Sequence, residues 1–172
     1  TPRAYFMFPH FGHAHVSLMQ GSLEEWIQQG GPVDTEPTTV ATALSILAAA
    51  KSRRPDYQCK TQNNVVDKYQ MLELVEKQQA VIIDPRGSSF QYGSIPGALN
   101  IPYSSLVEPD NALKLKSRNE LEEIFSTHGI DVFDVNQEMI ASCGSGVSAC
   151  HVVLALQECG RTDSVYMYDG SW

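Results

Sequence analysis

The stretch Ile140-Ala141-Ser142-Cys143-Gly144-Ser145-Gly146-Val147-Ser148-Ala149-Cys150 reads as a buried strand running into a small-residue loop and then a helix, with a thiol at the first bend. Gly144 and Gly146 flank Ser145, so the backbone can curl and aim several N–H groups at one point, and Ser148 is placed to cap the helix that begins at Ala149. Converging amides and a helix N-terminus both favour thiolate over thiol, which makes Cys143 a candidate nucleophile. The alternative is an inert buried cysteine at a strand end. Cys150 and Cys159 fall in a helix whose apolar residues, Val152, Val153, Leu154 and Leu156, look like core, and Cys59 lies in a polar, irregular region.

Outward from the loop, helices alternate with short apolar strands. A helix over about 67–77 carries Met71, Leu72 and Val75 as its apolar stripe and leads into Ala80-Val81-Ile82-Ile83-Asp84, a β-branched run that reads as a buried parallel strand. Leu99-Asn100-Ile101 follows the turn Ile95-Pro96-Gly97 as a further short strand. Ser117 and Glu120 form a capping box that opens a helix with Leu121, Ile124 and Phe125 on one face. Met139–Ser142 and Val165–Tyr168 are two more strands. The pattern predicts an α/β domain with a largely parallel sheet, whose chemistry belongs at the strand C-termini.

Ahead of this domain, Pro2–Phe8 reads as a helix start limited by Pro9, Val16–Met19 as a short strand, and Leu23–Gln29 as a helix closed by Gly30-Gly31-Pro32. Residues 32–64 read as a linker, with a turn or two of helix in the alanine run. Val16–Ser22 and Val165–Ser171 share valine, a second apolar residue two later, and Gly-Ser at the same offset, which suggests two copies of one module.

Composition narrows the function. The chain has 172 residues, 42% of them hydrophobic, enough for a real core. A net charge of −8, with 12 scattered basic residues and one short cluster at Lys51-Ser52-Arg53-Arg54, argues against nucleic-acid binding. The most apolar run, Val40–Ala50, is interrupted by Thr42 and Ser45 and far shorter than the roughly 20 residues of a membrane span. Four irregularly spaced cysteines form neither a disulfide framework nor a zinc motif, and a reducing compartment is expected. The segment from Thr1 carries no signal-like pattern. A cysteine phosphatase needs an arginine six residues after its cysteine; that position is Ala149, which argues against phosphate or arsenate chemistry. His128 and His151 cannot be assigned as bases from sequence, and His151 reads as an ordinary helix residue.

The residues 141–152, together with Tyr168-Asp169-Gly170-Ser171-Trp172, resemble the C-terminal domain of the tandem rhodanese-domain family, the 3-mercaptopyruvate and thiosulfate sulfurtransferases. Val81–Arg86 and Ser94–Pro102 support the resemblance. Pro2–Phe8, Phe11-Gly12-His13 and Gly21–Trp26 are similar to the end of that family's noncatalytic N-terminal domain. The resemblance implies a three-layer α/β fold with a central, mostly parallel sheet flanked by helices. It divides the chain into the end of the N-terminal domain (1–31), a linker (32–64) and a catalytic domain (65–172) that stops before its final helix. It places most of the first domain before Thr1.

The same resemblance implies function. Cys143 would accept a sulfur from 3-mercaptopyruvate, or from thiosulfate, as a persulfide held by Gly144, Ser145, Gly146, Val147 and Ser148, and pass it to cyanide or to a thiol acceptor such as thioredoxin or a small thiol. It implies no cofactor, no metal, no nucleic acid and no membrane, and a mitochondrial or cytoplasmic location. Arg86 matches the arginine that grips the donor carboxylate, with an ion pair to Asp84 as the competing assignment. Where thiosulfate-preferring relatives have basic residues after the cysteine, this chain has Gly144 and Ser145, as the mercaptopyruvate type does. Gly87–Tyr92 is shorter and less charged than the family's loop, and Ser94 stands where a histidine is usual. A noncatalytic rhodanese-like binding or regulatory module is the alternative function.

Overall fold

The computed structural model describes residues 1–53 and 57–172. Arg54, the last residue of the short basic cluster, lies outside the described residues. The chain forms two compact units, one of Thr1–Gln20 with Thr61–Trp172 and one of Gly21–Lys60.

The larger unit is built on a five-stranded sheet in the order β1-β7-β6-β2-β3, every neighbouring pair parallel. Its strands are β1 (Val65–Val66), β2 (Ala80–Asp84), β3 (Leu99–Asn100), β6 (Glu138–Ser142) and β7 (Val165–Tyr168). A separate antiparallel pair joins β4 (Val107–Glu108) to β5 (Asn111–Leu115). The expected strands at 80–84, 99–101, 139–142 and 165–168 are present within a residue. Val16–Met19 is not a strand, although Val165–Tyr168 is, so the paired segments of the sequence echo do not share a structure. A strand needs a partner for its backbone groups, and among the described residues 16–19 pairs with none.

Because successive strand residues face opposite sides, β6 divides its side chains between two apolar layers. Met139, Ala141 and Cys143 join Ile83, Met167 and Val165 in the larger core. That core is completed by Phe6 of α1 (Pro2–His10), Leu121 and Phe125 of α5 (Arg118–Thr127), and Val152, Val153 and Leu156 of α6 (Ala149–Glu158). Ile140 and Ile82 face the other way, with Val66, Ile95 and Met71 of α4 (Lys68–Lys77). The fold is therefore the expected α/β sheet flanked by helices.

Local chemistry sets the helix ends. Asp67 and Gln70 form a capping box at the start of α4, and Glu120 accepts from the Ser117 backbone N–H at the start of α5. Gly97 takes φ +81 after Pro96, closing a turn in which the Ala98 N–H donates to the Ile95 carbonyl at 3.0 Å. On α4 the apolar stripe is narrower than the sequence implies. Met71 is buried, but Leu72 is 56% exposed, and the face is completed by half-buried Leu74 and Val75.

The α1 helix runs to His10, through Pro9, because a proline in the last turn costs only one backbone bond. Its Phe6 is 7% exposed in the larger core, and the helix packs on α6, so it belongs to the same compact unit as 61–172. In the smaller unit, α2 (Leu23–Gln28) starts at a Ser22–Glu25 capping box, and α3 (Val40–Arg53) is a full 14-residue helix where a turn or two was expected. Its run of Ala, Leu and Lys has high helix propensity, which outweighs the neighbouring threonines and serines.

The two helix faces predict opposite mutational costs. Phe125→Ala, at a fully buried position, should destabilise the protein by about 3–5 kcal/mol in denaturant unfolding. Leu72→Ala should cost no more than about 0.5 kcal/mol; a cost near that of Phe125→Ala would contradict the outward placement of Leu72.

Candidate active site

Sheet register brings the expected site residues together. Ile83 of β2 pairs with Ala141 of β6, and Ser142 of β6 pairs with Tyr168 of β7. The chain leaving β6 at Cys143 is thus flanked by Asp84-Pro85-Arg86 on one side and Asp169 on the other, all beyond the carboxyl ends of parallel strands. That crevice is where such sheets bind ligands.

Cys143 is 1% exposed, at the floor of the loop. Its Sγ accepts from the backbone N–H of Ser145 at 3.5 Å. Burial is the largest single influence on the thiol and pushes its pKa up. The Ser148 hydroxyl and the backbone N–H groups of Ser145, Ala149 and Gly146 together outweigh it, and the pKa is lowered from the ordinary thiol value. The nest expected from sequence therefore forms around Sγ.

Its members divide the work differently from expectation. Ser148 does not cap α6: it has helical backbone angles, φ −72 and ψ −26, in place of the extended ones of a cap, and makes no side-chain cap bond, while its hydroxyl donates toward Cys143. Ser145 serves through its backbone, with its side chain on the exposed rim beside Gly144 and Val147. Gly146 is buried at φ +71, a left-handed conformation that suits glycine. A Cβ there would lie 2.3 Å from Asp169 Oδ1 and 2.5 Å from Arg3 Nη1, so a side chain at 146 would have to displace the Arg3–Asp169 pair.

Arg86 is held by its own neighbour. Its Nε donates to both Asp84 carboxylate oxygens at 3.0 and 2.9 Å, and its Nη2 donates to Asp84 Oδ2 and to the Gly93 carbonyl, each at 2.7 Å. Asp84 raises the Arg86 pKa, and the charge of Cys143 reaches it too. The ion pair weighed in the sequence is thus present, and it fixes the guanidinium within electrostatic range of the thiol. Asn100 Nδ2 steadies this corner by donating to the Asp84 and Arg86 carbonyls at 2.9 and 2.7 Å.

Neither histidine attends the thiol as a base. His128 Nδ1 lies 2.8 Å from the Ile124 carbonyl at the end of α5. Burial pushes the His151 ring toward its neutral form, and the ring lies against Tyr103 with centroids 5.2 Å apart. Cys150 and Cys159 are buried, and burial holds each thiol's pKa up, at about 11, while Cys59 is exposed.

Sequence reasoning gave Arg3, Gly93 and Trp172 no role at the site. Arg3 reaches the loop from 143 positions away, with Nη1 3.5 Å from the Gly146 carbonyl. Trp172 donates its backbone N–H to the Cys143 carbonyl at 3.2 Å, and its indole backs onto Gly93, where a Cβ would lie 2.8 Å from Nε1. These are long-range contacts with no local pattern; the quoted Asp-Gly-Ser-Trp ending was the one available signal.

Residues 67–172 match the family described as "Rhodanese-like domain". The chain is 32% identical over 174 residues to thiosulfate sulfurtransferase of Gallus gallus, covering 100% of this chain and 57% of that protein. It is 32% identical over 186 residues to 3-mercaptopyruvate sulfurtransferase of Mus musculus, covering 100% of this chain and 56% of that protein. The chain thus spans little more than half the length of these relatives. The crystal structure of SseA from Escherichia coli, described among 3-mercaptopyruvate sulfotransferases with a rhodanese fold, superposes with a TM-score of 0.78 at 29% identity, over 99% of this chain and 62% of that one.

If Ser148 donates to the thiolate, Ser148→Ala removes a bond made to the charged form alone. The pH midpoint for alkylation of Cys143 by iodoacetamide, followed by mass spectrometry, should rise by about one unit, as expected for loss of a hydrogen bond to a charged group. An unchanged midpoint would return Ser148 to a purely structural role.

Proposed function

The chain belongs to the rhodanese-like domain family, and on that premise we propose that it is a sulfurtransferase whose carrier is a persulfide on Cys143. The observation that carries this reading is a buried thiol whose pKa is lowered by donors converging from its own loop. A nucleophile that must ionise at neutral pH needs such an environment, and a structural cysteine does not; Cys150 and Cys159 are its opposites in the same core. The domain assignment, with the catalytic part over 65–172 after a linker (32–64) and the end of a noncatalytic domain (1–31), forms part of the proposal.

The donor we propose is 3-mercaptopyruvate, with thiosulfate as the lesser substrate. The Cys143 thiolate attacks the donor sulfur, the carbon–sulfur bond breaks, and its electron pair stays on carbon. That carbon takes the proton released by the donor thiol, giving pyruvate and Cys143–S–S⁻. The transferred sulfur is oxidised to the sulfane level and the carbon is reduced, so no outside oxidant or reductant is required. A thiol acceptor, a small thiol or thioredoxin, then attacks the outer sulfur and releases the Cys143 thiolate. The persulfide anion inherits the loop N–H groups of Gly144–Ser148, in the manner of an oxyanion hole.

Charge supports this choice of donor. Gly144 and Ser145 bring none to the rim, and Arg86, already paired to Asp84 through Nε and Nη2, has its Nη1 open among the described residues to meet a carboxylate. That suits one carboxylate better than a dianion. Relatives of both names match equally well, so the local charge and not the likeness supports the preference.

A second reading, a noncatalytic binding or regulatory module, draws on the 1% exposure of Cys143 and on the engagement of Arg86 by Asp84. Mass spectrometry separates the two. Incubation with 3-mercaptopyruvate should add one sulfur mass to the Cys143 peptide, and Cys143→Ser should abolish both adduct and turnover while unfolding as before. No adduct with either donor would leave the module reading. Arg86→Lys, which keeps a cation beside buried Asp84, should raise KM for 3-mercaptopyruvate about tenfold or more with a smaller change in kcat, as loss of a forked contact made in ground and transition state alike. An unchanged KM would remove Arg86 from the donor site.

A further inference from the structure

The loop around Cys143 is held from behind by groups that never touch the thiol. Arg3, on α1, donates from Nη1 and Nη2 to the two carboxylate oxygens of Asp169 at 3.0 and 2.9 Å. The same Nη1 lies 3.5 Å from the Gly146 carbonyl and 3.3 Å from Met167 Sδ. On the inner side, the Cys150 thiol donates to that same Gly146 carbonyl at 3.1 Å and sits 3.5 Å from Met167 Sδ. One carbonyl is therefore gripped by two donors, one charged and one neutral, that enter from different helices.

A peptide unit is planar, so fixing its carbonyl fixes the N–H at its other end. The Gly146 carbonyl belongs to the peptide that leads to Val147. Its orientation constrains the turn in which Gly146 takes φ +71 and turns its own N–H toward Cys143. Asp169 and Arg3 occupy the space in which a side chain at position 146 would begin, so any residue but glycine there would push the pair off the loop. We infer that Arg3 is a positioning residue, which together with Asp169 and the Cys150 thiol clamps the Gly146 carbonyl and thereby aims the loop amides at Cys143 Sγ.

The inference accounts for two otherwise unrelated features. Cys150 is a buried thiol whose pKa burial holds up at about 11, so it stays protonated and keeps its donor at neutral pH. The Arg3–Asp169 pair, part-exposed at 26% and 42%, would contribute little as a surface salt bridge, but it earns its place by bracing the loop.

The inference rests on Cys143 thiolate as the reacting atom, and alkylation tests it without any sulfur transfer. Rates of iodoacetamide modification at Cys143 are measured across pH on the full chain, with exposed Cys59 as internal reference. Arg3→Met and Cys150→Ala should each raise the Cys143 midpoint and slow its alkylation at neutral pH about three- to tenfold, the size of one weakened hydrogen bond to a charged group, with Cys59 unaffected. Asp169→Asn should move it in the same direction, and covers the case in which Arg3→Met does not fold. Cys150→Ser, which keeps a donor, should restore the wild-type midpoint. Unchanged midpoints in Arg3→Met, or in Asp169→Asn where the former does not fold, and in Cys150→Ala, or a Cys150→Ser protein that behaves like Cys150→Ala, would overturn the inference. A shifted midpoint in a protein that never gains sulfur would overturn the sulfurtransferase reading and leave the positioning role intact.

Discussion

A thiol taken out of water resists ionising, and at Cys143 that resistance is the largest single influence on the group. Four hydrogen bonds from residues 145–149 together exceed it. The balance depends on geometry more than on composition, since the same backbone amides aimed a few ångströms elsewhere would leave Cys143 like Cys150 or Cys159. Much of the larger unit can be understood as holding that geometry still.

The parallel sheet supplies the coarse positioning. With β6 at its centre, the loop emerges between the ends of β2 and β7, and the register places Asp84-Pro85-Arg86 and Asp169 on either side. Finer control comes from polar contacts that lock each corner: Asn100 on the backbone at Asp84 and Arg86, Trp172 on the Cys143 carbonyl, and Arg3 with Cys150 on the Gly146 carbonyl. Arg86 is prearranged by its ion pair with Asp84.

How much of this was legible in the sequence follows from the range of each interaction. The β-branched run at 80–84 and the apolar strands at 139–142 and 165–168 could be read because burial on both faces leaves a continuous apolar signature. The two-residue β1, with no Pro-Gly turn before it, carries too little pattern, and the apolar run at 16–19 was misleading because pairing, not local apolarity, decides a strand. In the site, the glycine spacing announced the nest. The part played by Ser148 could not be read, since a serine before a helix suits a cap and only the folded loop turns it toward the thiol. The Arg3–Asp169 clamp, separated by 166 positions, has no local signature at all.

The central claim is that the loop makes Cys143 a thiolate more readily than an ordinary cysteine. The most direct measurement is the thiolate ultraviolet absorbance of the protein titrated against pH, taken as the difference between the native chain and Cys143→Ser so that Cys59, Cys150 and Cys159 cancel. The account predicts one titrating thiol with a midpoint below that of a free cysteine. A midpoint at or above the free value would contradict it, because burial would then have prevailed over the loop.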